Sequence, residues 1–291
     1  MPGADSVSNA LRGQILLVTG AGRGIGREIA RACAIRGARV AICARSAGEL
    51  EEARAEIERA AGAPVLAVAA DVAEDAQVRG MVARVERELG PLHGLVCAAG
   101  VLGPVGPFED TPFEAWEQAV RVNLFGSARC AHAAIPGMKR NGGGRIVFFS
   151  GGGQGAQPRR TAYVAGKGAI WRLTESLGAE LAPAGIFVNA IAPGAVNTRF
   201  LDDLLRAGPE GAGAQEYAAA VKQREGGGTP PTRAADLAVF LLSERSSGLY
   251  GKVLSAVWDD YERWTDLPSI SRSDLYTMKR VTQPDGGTRE R

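Results

Sequence analysis

The sequence predicts an α/β fold: a doubly wound, seven-stranded parallel sheet with helices on both faces. Three observations carry that expectation. Short apolar runs alternate with amphipathic stretches from Ile15 to Val257. The apolar runs lack polar alternation, as expected of strands buried on both faces. Glycine and alanine are abundant while aromatic residues make up 6% of the chain, a composition suited to helices packed closely on a sheet. Hydrophobic residues are 45% of 291, enough for a sizeable core in one unit.

The elements follow in order. Ile15–Thr19 (ILLVT) reads as the first strand, Ile25–Arg36 as a helix stopped by Gly37, and Arg39–Ala44 as the second strand. Ala47–Ala61, rich in Glu, Ala and Arg, favours helix. Pro64–Ala70 is the third strand, Gln77–Leu89 a helix and Gly94–Ala99 the fourth strand. Phe113–Met138 reads as one long helix, Arg145–Ser150 as strand five, Ala162–Leu181 as helix and Ile186–Ala192 as strand six. Arg233–Ser243 is a helix and Lys252–Val257 strand seven. The connection from Pro193 to Pro231 is long and rich in Gly, Ala and Pro, which suggests a lid at about residues 195–230. Residues 1–257 thus read as one domain. Residues 258–291 form a C-terminal extension whose Trp258, Tyr261, Trp264 and Tyr276 call for a packing partner.

Several function classes are disfavoured. The net charge is +2 with no long basic block, which argues against nucleic acid as a partner. Cys33, Cys43, Cys97 and Cys130 are scattered among apolar neighbours, and no Cys/His cluster has zinc spacing. They read as reduced thiols, with no metal site expected. His93 and His132 are isolated and read as structural. Met1–Arg12 lacks the apolar stretch of a signal peptide, and no apolar run is long enough for a bilayer. The expectation is a soluble, cytoplasmic protein with no membrane partner.

The chemistry concentrates in two places. Thr19-Gly20-Ala21-Gly22-Arg23-Gly24-Ile25-Gly26 follows a strand and opens a helix. Glycines let backbone N–H groups approach phosphates, and the helix N-terminus favours negative charge. Downstream, Tyr163 and Lys167 stand at i, i+4, on one helix face. A free tyrosine, with a pKa of about 10, is a poor base near neutrality; an ammonium one turn away should lower it.

The glycine spacing is TGxxxGxG, and Tyr163-Val164-Ala165-Gly166-Lys167 is YxxxK. Ser150 precedes Tyr163 at a strand end, Asn123 lies in Val122-Asn123-Leu124-Phe125-Gly126, and Pro193-Gly194 follows strand six. In these ordered motifs the chain resembles the short-chain dehydrogenase/reductase family, from about Leu11 to Val257. It departs from the family at Cys97-Ala98-Ala99-Gly100, where relatives often carry Asn-Asn-Ala-Gly.

The resemblance implies a Rossmann fold and a nicotinamide cofactor. It implies Tyr163 as general acid or base, Lys167 as its electrostatic partner and holder of the nicotinamide ribose, Ser150 as the group polarising the substrate oxygen, and Asn123 as holder of a relay water. Thr19, Gly20, Gly22, Arg23, Gly24, Ile25 and Gly26 would meet the phosphates. Asp71 and Val72 would meet the adenine, Ala99 and Gly100 the middle of the dinucleotide, and Pro193, Gly194, Val196 and Thr198 the carboxamide end. After strand two the sequence reads Ala44-Arg45-Ser46 instead of an acidic residue. A guanidinium and a hydroxyl suit a 2′-phosphate, with Arg23 as a second charge, so NADP(H) is expected, with NAD(H) possible.

The expected reaction is hydride transfer between the nicotinamide and a carbonyl or secondary alcohol of a small molecule. The alternative is a non-catalytic dinucleotide sensor, which would have no need of the Ser-Tyr-Lys set. A nucleotide-sugar epimerase or dehydratase would need a different glycine spacing and a larger C-terminal domain. Phe200, Leu201, Leu204 and Leu205 are candidates for a substrate wall, and Gln154 for a place beside the substrate. Leu177–Leu181 lacks the arginines of carrier-protein reductases, though Lys139, Arg140 and Arg159 leave that substrate open. The aromatic tail is expected near the pocket or across a subunit interface. The resemblance further implies a homodimer or homotetramer built through Phe113–Met138 and Ala162–Leu181.

Overall fold

Alternate residues of the first strand, β1 (Ile15–Thr19), feed two different cores. Leu16 and Val18 point to one face of the sheet and Ile15 and Leu17 to the other. This two-sided burial recurs along β2 (Arg39–Ala44), β3 (Leu66–Ala69), β4 (Gly94–Cys97), β5 (Gly144–Phe149), β6 (Ile186–Ala192) and β7 (Val253–Ser255). The seven strands form one sheet in the order β3-β2-β1-β4-β5-β6-β7, and every pairing is parallel. These elements come from a computed structural model that describes residues 9–151 and 155–279.

Helices α1 (Gly24–Ile35), α2 (Ala47–Ala61) and α10 (Pro231–Leu242) contribute to one core. Helices α3 (Asp75–Glu88), α5 (Ser127–Arg140) and α6 (Thr161–Leu181) contribute to the other. The chain reverses its winding between β1 and β4. A crevice therefore opens beyond the carboxyl ends of these central strands.

The element boundaries differ from the sequence expectation where local chemistry intervenes. β3 begins at Leu66, not Pro64; proline has no N–H for the ladder. The stretch expected as one helix, Phe113–Met138, is α4 (Phe113–Val120), a wide π turn (Arg121–Gly126) and α5. The long connection is not loop. It folds as α7 (Arg199–Arg206), α8 (Gly208–Ala212) and α9 (Ala214–Glu225), which bury Leu201, Leu204, Ala212 and Ala220 against Leu102.

The tail after β7 packs on the body. Tyr261 lies 5.0 Å from Phe240 on α10, and Trp264 lies 5.1 Å from Tyr276. Helix α11 (Leu267–Arg272) buries Leu267. Beyond it, the Tyr276 carbonyl accepts from the Val253 N–H at 3.0 Å, on the edge of β7 away from β6. Met278 N–H donates to Glu175 on α6 at 2.6 Å. Trp258, by contrast, is 85% exposed.

Candidate active site

The crevice is a continuous cleft of about 2460 Å³. That exceeds the ~300–1,000 Å³ of a single small-ligand pocket, so a dinucleotide and a second molecule fit together. Its lining includes Gly20, Gly22, Arg23, Gly24, Ile25 and Gly26 at the turn into α1. Arg45, Ser46, Asp71 and Val72 lie along the β2–β3 side, Ala99 and Gly100 after β4, and Pro193, Gly194, Val196 and Thr198 after β6. Ser150, Tyr163 and Lys167 line it too. The structure therefore gathers nearly all the residues expected from sequence into one space.

The glycine turn is a cradle only because it lacks side chains. A Cβ on Gly20, at φ +67°, would sit 2.6 Å from the Ala99 backbone. With the N-terminus of α1 opening into it, this bare turn fits a pyrophosphate. Thr19 does not share the task. It is 1% exposed, and its hydroxyl links β1 to β4 by donating to Val96 O and accepting from Ala99 N, both at 3.4 Å.

Both arginines expected at a 2′-phosphate have acidic neighbours. Arg23 Nη1 lies 2.7 Å from Glu49 Oε1, and Arg45 Nη1 lies 3.8 Å from Asp71 Oδ2. The Ser46 hydroxyl caps α2 by accepting from Glu49 N–H at 3.4 Å. Asp71 also accepts from Ala73 N–H at 2.9 Å, which holds the turn after β3. Glu49 lines the cleft and was not singled out from sequence. Its place three residues after Ser46, in the first turn of α2, is the signal that could have found it.

At the other end, Ser150 ends β5 and Tyr163 stands in the first turn of α6. The Tyr163 hydroxyl lies so close to Gly151 that a Cβ there would overlap it. Burial pushes the Tyr163 phenol up to about 12, against a smaller downward pull from the Arg160 charge. Lys167 Nζ is buried, lies 5.8 Å from the Tyr163 ring centroid and donates to Phe149 O at 2.7 Å. Burial also pushes Lys167 down to about 8. The Ser150 hydroxyl donates to Lys167 O at 3.4 Å.

Asn123 is fully buried in the π turn and does not line the cleft. Its side chain clasps Val101, donating to the carbonyl at 2.8 Å and accepting from the N–H at 3.0 Å. The side chain thereby fixes the Ala99–Val101 segment that borders the cleft.

The connection after β6 covers Tyr163. The Phe200 ring meets the Tyr163 ring edge-on at 5.6 Å. Leu201 and Leu204 are buried in the same cluster, with Leu205 partly so. Arg159, at φ +65°, donates to the carbonyls of Glu210 and Gly211, tying α8 to the segment before α6. Gln154, with Gly152 and Gly153, lies outside the described residues. From the tail, Trp258, Asp259 and Tyr276–Lys279 line the cleft, which places the extension beside it. Among the described residues no cluster of His, Cys, Asp or Glu could hold a metal. Likewise, no described helix is long and apolar enough to cross a membrane.

A glycine cradle at the switch point and a Ser-Tyr-Lys set at the next strand end define a dinucleotide-dependent oxidoreductase. The profile described as short chain dehydrogenase matches residues 14–207. The 2-(S)-hydroxypropyl-CoM dehydrogenase 3 of Xanthobacter autotrophicus is 33% identical over 246 residues, 84% of this chain and 95% of that protein. The D-beta-hydroxybutyrate dehydrogenase of Cupriavidus necator is 33% identical over 261 residues, 87% and 98% respectively. The crystal structure of NAD+-bound xylitol dehydrogenase superposes with a TM-score of 0.78 at 28% identity, covering 84% of this chain and 98% of that one. The chain belongs to the short-chain dehydrogenase/reductase family, and it is an oxidoreductase of alcohols and ketones.

Proposed function

We propose that the protein is an NADP(H)-dependent dehydrogenase/reductase that moves a hydride between the nicotinamide and the carbon of a secondary alcohol or ketone in a small molecule. The observation that carries this reading is the convergence of Ser150, Tyr163 and Lys167 with the bare glycine turn in one cleft. When bound, the nicotinamide accepts or donates the hydride. The turn from Gly20 to Gly26 would hold its pyrophosphate, and Pro193, Gly194, Val196 and Thr198 would border its carboxamide.

In the oxidation direction, Tyr163 Oη takes the proton of the substrate hydroxyl. In reduction it returns that proton to the carbonyl oxygen. Ser150 donates a hydrogen bond to the same oxygen and stabilises the charge that builds there. Lys167 adds a positive charge close to Tyr163, and its effect grows when substrate and cofactor exclude water. A buried phenol is a weak base at rest, so alcohol oxidation should accelerate with rising pH. Asn123 is a positioning residue: it holds the Ala99–Val101 border of the cleft. Helices α7–α9 act as the lid.

Ala44, where an acidic residue would exclude a 2′-phosphate, supports NADP(H), as do Arg23 and Arg45 at the mouth of that pocket. A bound 2′-phosphate would draw Arg23 and Arg45 from Glu49 and Asp71, pairs that are exposed enough to exchange at little cost. The test is the ratio of kcat/KM for NADP+ over NAD+. Wild type should favour NADP+ by about tenfold or more, and Ala44→Asp should reverse the preference, each tenfold being about 1.4 kcal/mol. A wild-type preference for NAD+ that Ala44→Asp leaves unchanged would refute the cofactor assignment.

The four free thiols support a reducing compartment, the cytoplasm. Exposed Phe113 and Phe125 on the α4–α5 side support assembly into a homodimer or homotetramer. The partners proposed are therefore a small-molecule alcohol or ketone and further copies of the same chain.

A further inference from the structure

Arg160 has no part in the hydride and proton steps, yet it stands beside them. It immediately precedes α6, with non-helical backbone (φ −130°, ψ 38°), three positions before Tyr163. Its side chain is only 16% exposed. Nη2 donates to Glu216 on α9 at 2.7 Å, while Nε is buried with no hydrogen-bond partner among the described residues. Three residues earlier, Gln157 Oε1 is likewise buried and without a partner among them. Both residues line the cleft that holds Tyr163.

Buried polar groups are nearly always paired, and each unpaired one costs about 1–3 kcal/mol, more when charged. Arg160 Nε is a donor in need of an acceptor at the edge of the substrate space; Gln157 Oε1 is itself an acceptor, and only by turning its amide over would Gln157 present an N–H to the same acceptor. Two other cations nearby are engaged. Lys167 donates to Phe149 O, and Arg159 donates to the carbonyls of α8. Across the cleft, Leu102, Phe200, Leu201 and Leu204 make the wall apolar. The space over Tyr163 is therefore greasy on the lid side, with the Arg160–Glu216 ion pair at its edge.

We infer that Arg160, helped by Gln157, is a subsite for a carboxylate on the substrate, so that the enzyme interconverts short hydroxy acids and oxo acids. This deepens the oxidoreductase reading and rests on it. A guanidinium offers parallel N–H donors that match a carboxylate, and Glu216 takes only one of the five. Arg160 and Tyr163 stand three residues apart and line the same cleft. An alcohol carbon at Tyr163 and a carboxylate at Arg160 are then joined by only a few carbons. In the oxidation, the alcohol carbon gives its hydride to NADP+ and its oxygen gives a proton to Tyr163. The products are the oxo acid, NADPH and H+, with the carboxylate unchanged.

The experiment compares 2-hydroxybutyrate, 3-hydroxybutyrate and 4-hydroxypentanoate, each against its methyl ester, with NADP+. Wild type should prefer at least one acid over its ester by about tenfold or more in kcat/KM. In Arg160→Gln that ratio should fall toward one through a higher KM for the acid, and Arg160→Lys should recover part of it. A ratio near one in wild type, or a ratio unchanged in Arg160→Gln, overturns the subsite. A second arm measures calorimetric binding of the same acids and esters to NADP+-loaded Tyr163→Phe, with and without Arg160→Gln. Arg160-dependent binding of an acid without wild-type turnover of any compound keeps the subsite and overturns the oxidoreductase reading. Ester turnover without acid preference, and without Arg160-dependent binding, does the reverse.

Discussion

Lys167 bears an electrostatic cost that reports on its place in the site. Its ammonium is buried and shifted from an ordinary 10.5 to about 8, mainly by loss of water. Below about pH 8 the folded and unfolded chains both hold the proton, so folding bears the whole cost of burying the charge. Between about pH 8 and 10.5 the unfolded chain binds more protons, and stability due to this group rises with pH. Above that window the cost is gone. Lys167→Met lacks this rise. The stability of wild type relative to Lys167→Met should therefore increase by on the order of 3 kcal/mol between pH 7 and 10.5. Denaturant titrations at both pH values measure it, and parallel profiles would show that the ammonium is not buried as described. At this scale, Tyr163 and Lys167 were legible because their relation is local, one helical turn. The partners of Asn123, Arg23 and Arg45 were not. Val101, Glu49 and Asp71 lie 22 to 26 residues away in sequence and meet them only in the folded chain. The upward shift of Tyr163 was unreadable for the same reason, since burial is set by Phe200 and the lid.

The helices show the same division. The strand–helix alternation was legible because apolar runs and 3.6-residue periods are local signals. The π turn at Arg121–Gly126 was hidden, because one extra residue in a turn leaves the periodicity on either side intact. It matters because it carries Asn123 inward. The lid's helices were obscured by Gly208, Gly211 and Gly213, which read as loop while α7–α9 find their stability in tertiary contacts. On α4 and the π turn, Phe113 and Phe125 are 56% and 50% exposed, and the Arg129 guanidinium lies 5.8 Å from the Phe125 ring. A second copy would bury this aromatic face. Phe125→Asp should thus lower the mass in solution by light scattering toward that of a single chain. An unchanged oligomer would place the interface elsewhere.

For the whole molecule, the parallel sheet delivers the ends of β1, β4, β5 and β6 to one crevice. This is why residues scattered from Gly20 to Thr198 share a single cleft. Fold class followed from pattern, whereas the course of the tail did not. Its aromatic residues announced packing but not that Tyr276 would bond the edge of β7 or that Met278 would reach α6. The central claim is that this cleft binds a nicotinamide dinucleotide and that Tyr163 moves the proton which accompanies the hydride. The most direct measurement is a stopped-flow record of nicotinamide absorbance during one turnover of an alcohol or ketone substrate, for wild type and Tyr163→Phe, beside a fluorescence titration of each with NADPH. Hydride transfer should slow by about 10²–10⁴-fold in Tyr163→Phe, with NADPH affinity within a few-fold of wild type. Transfer at the wild-type rate in Tyr163→Phe would contradict the central claim.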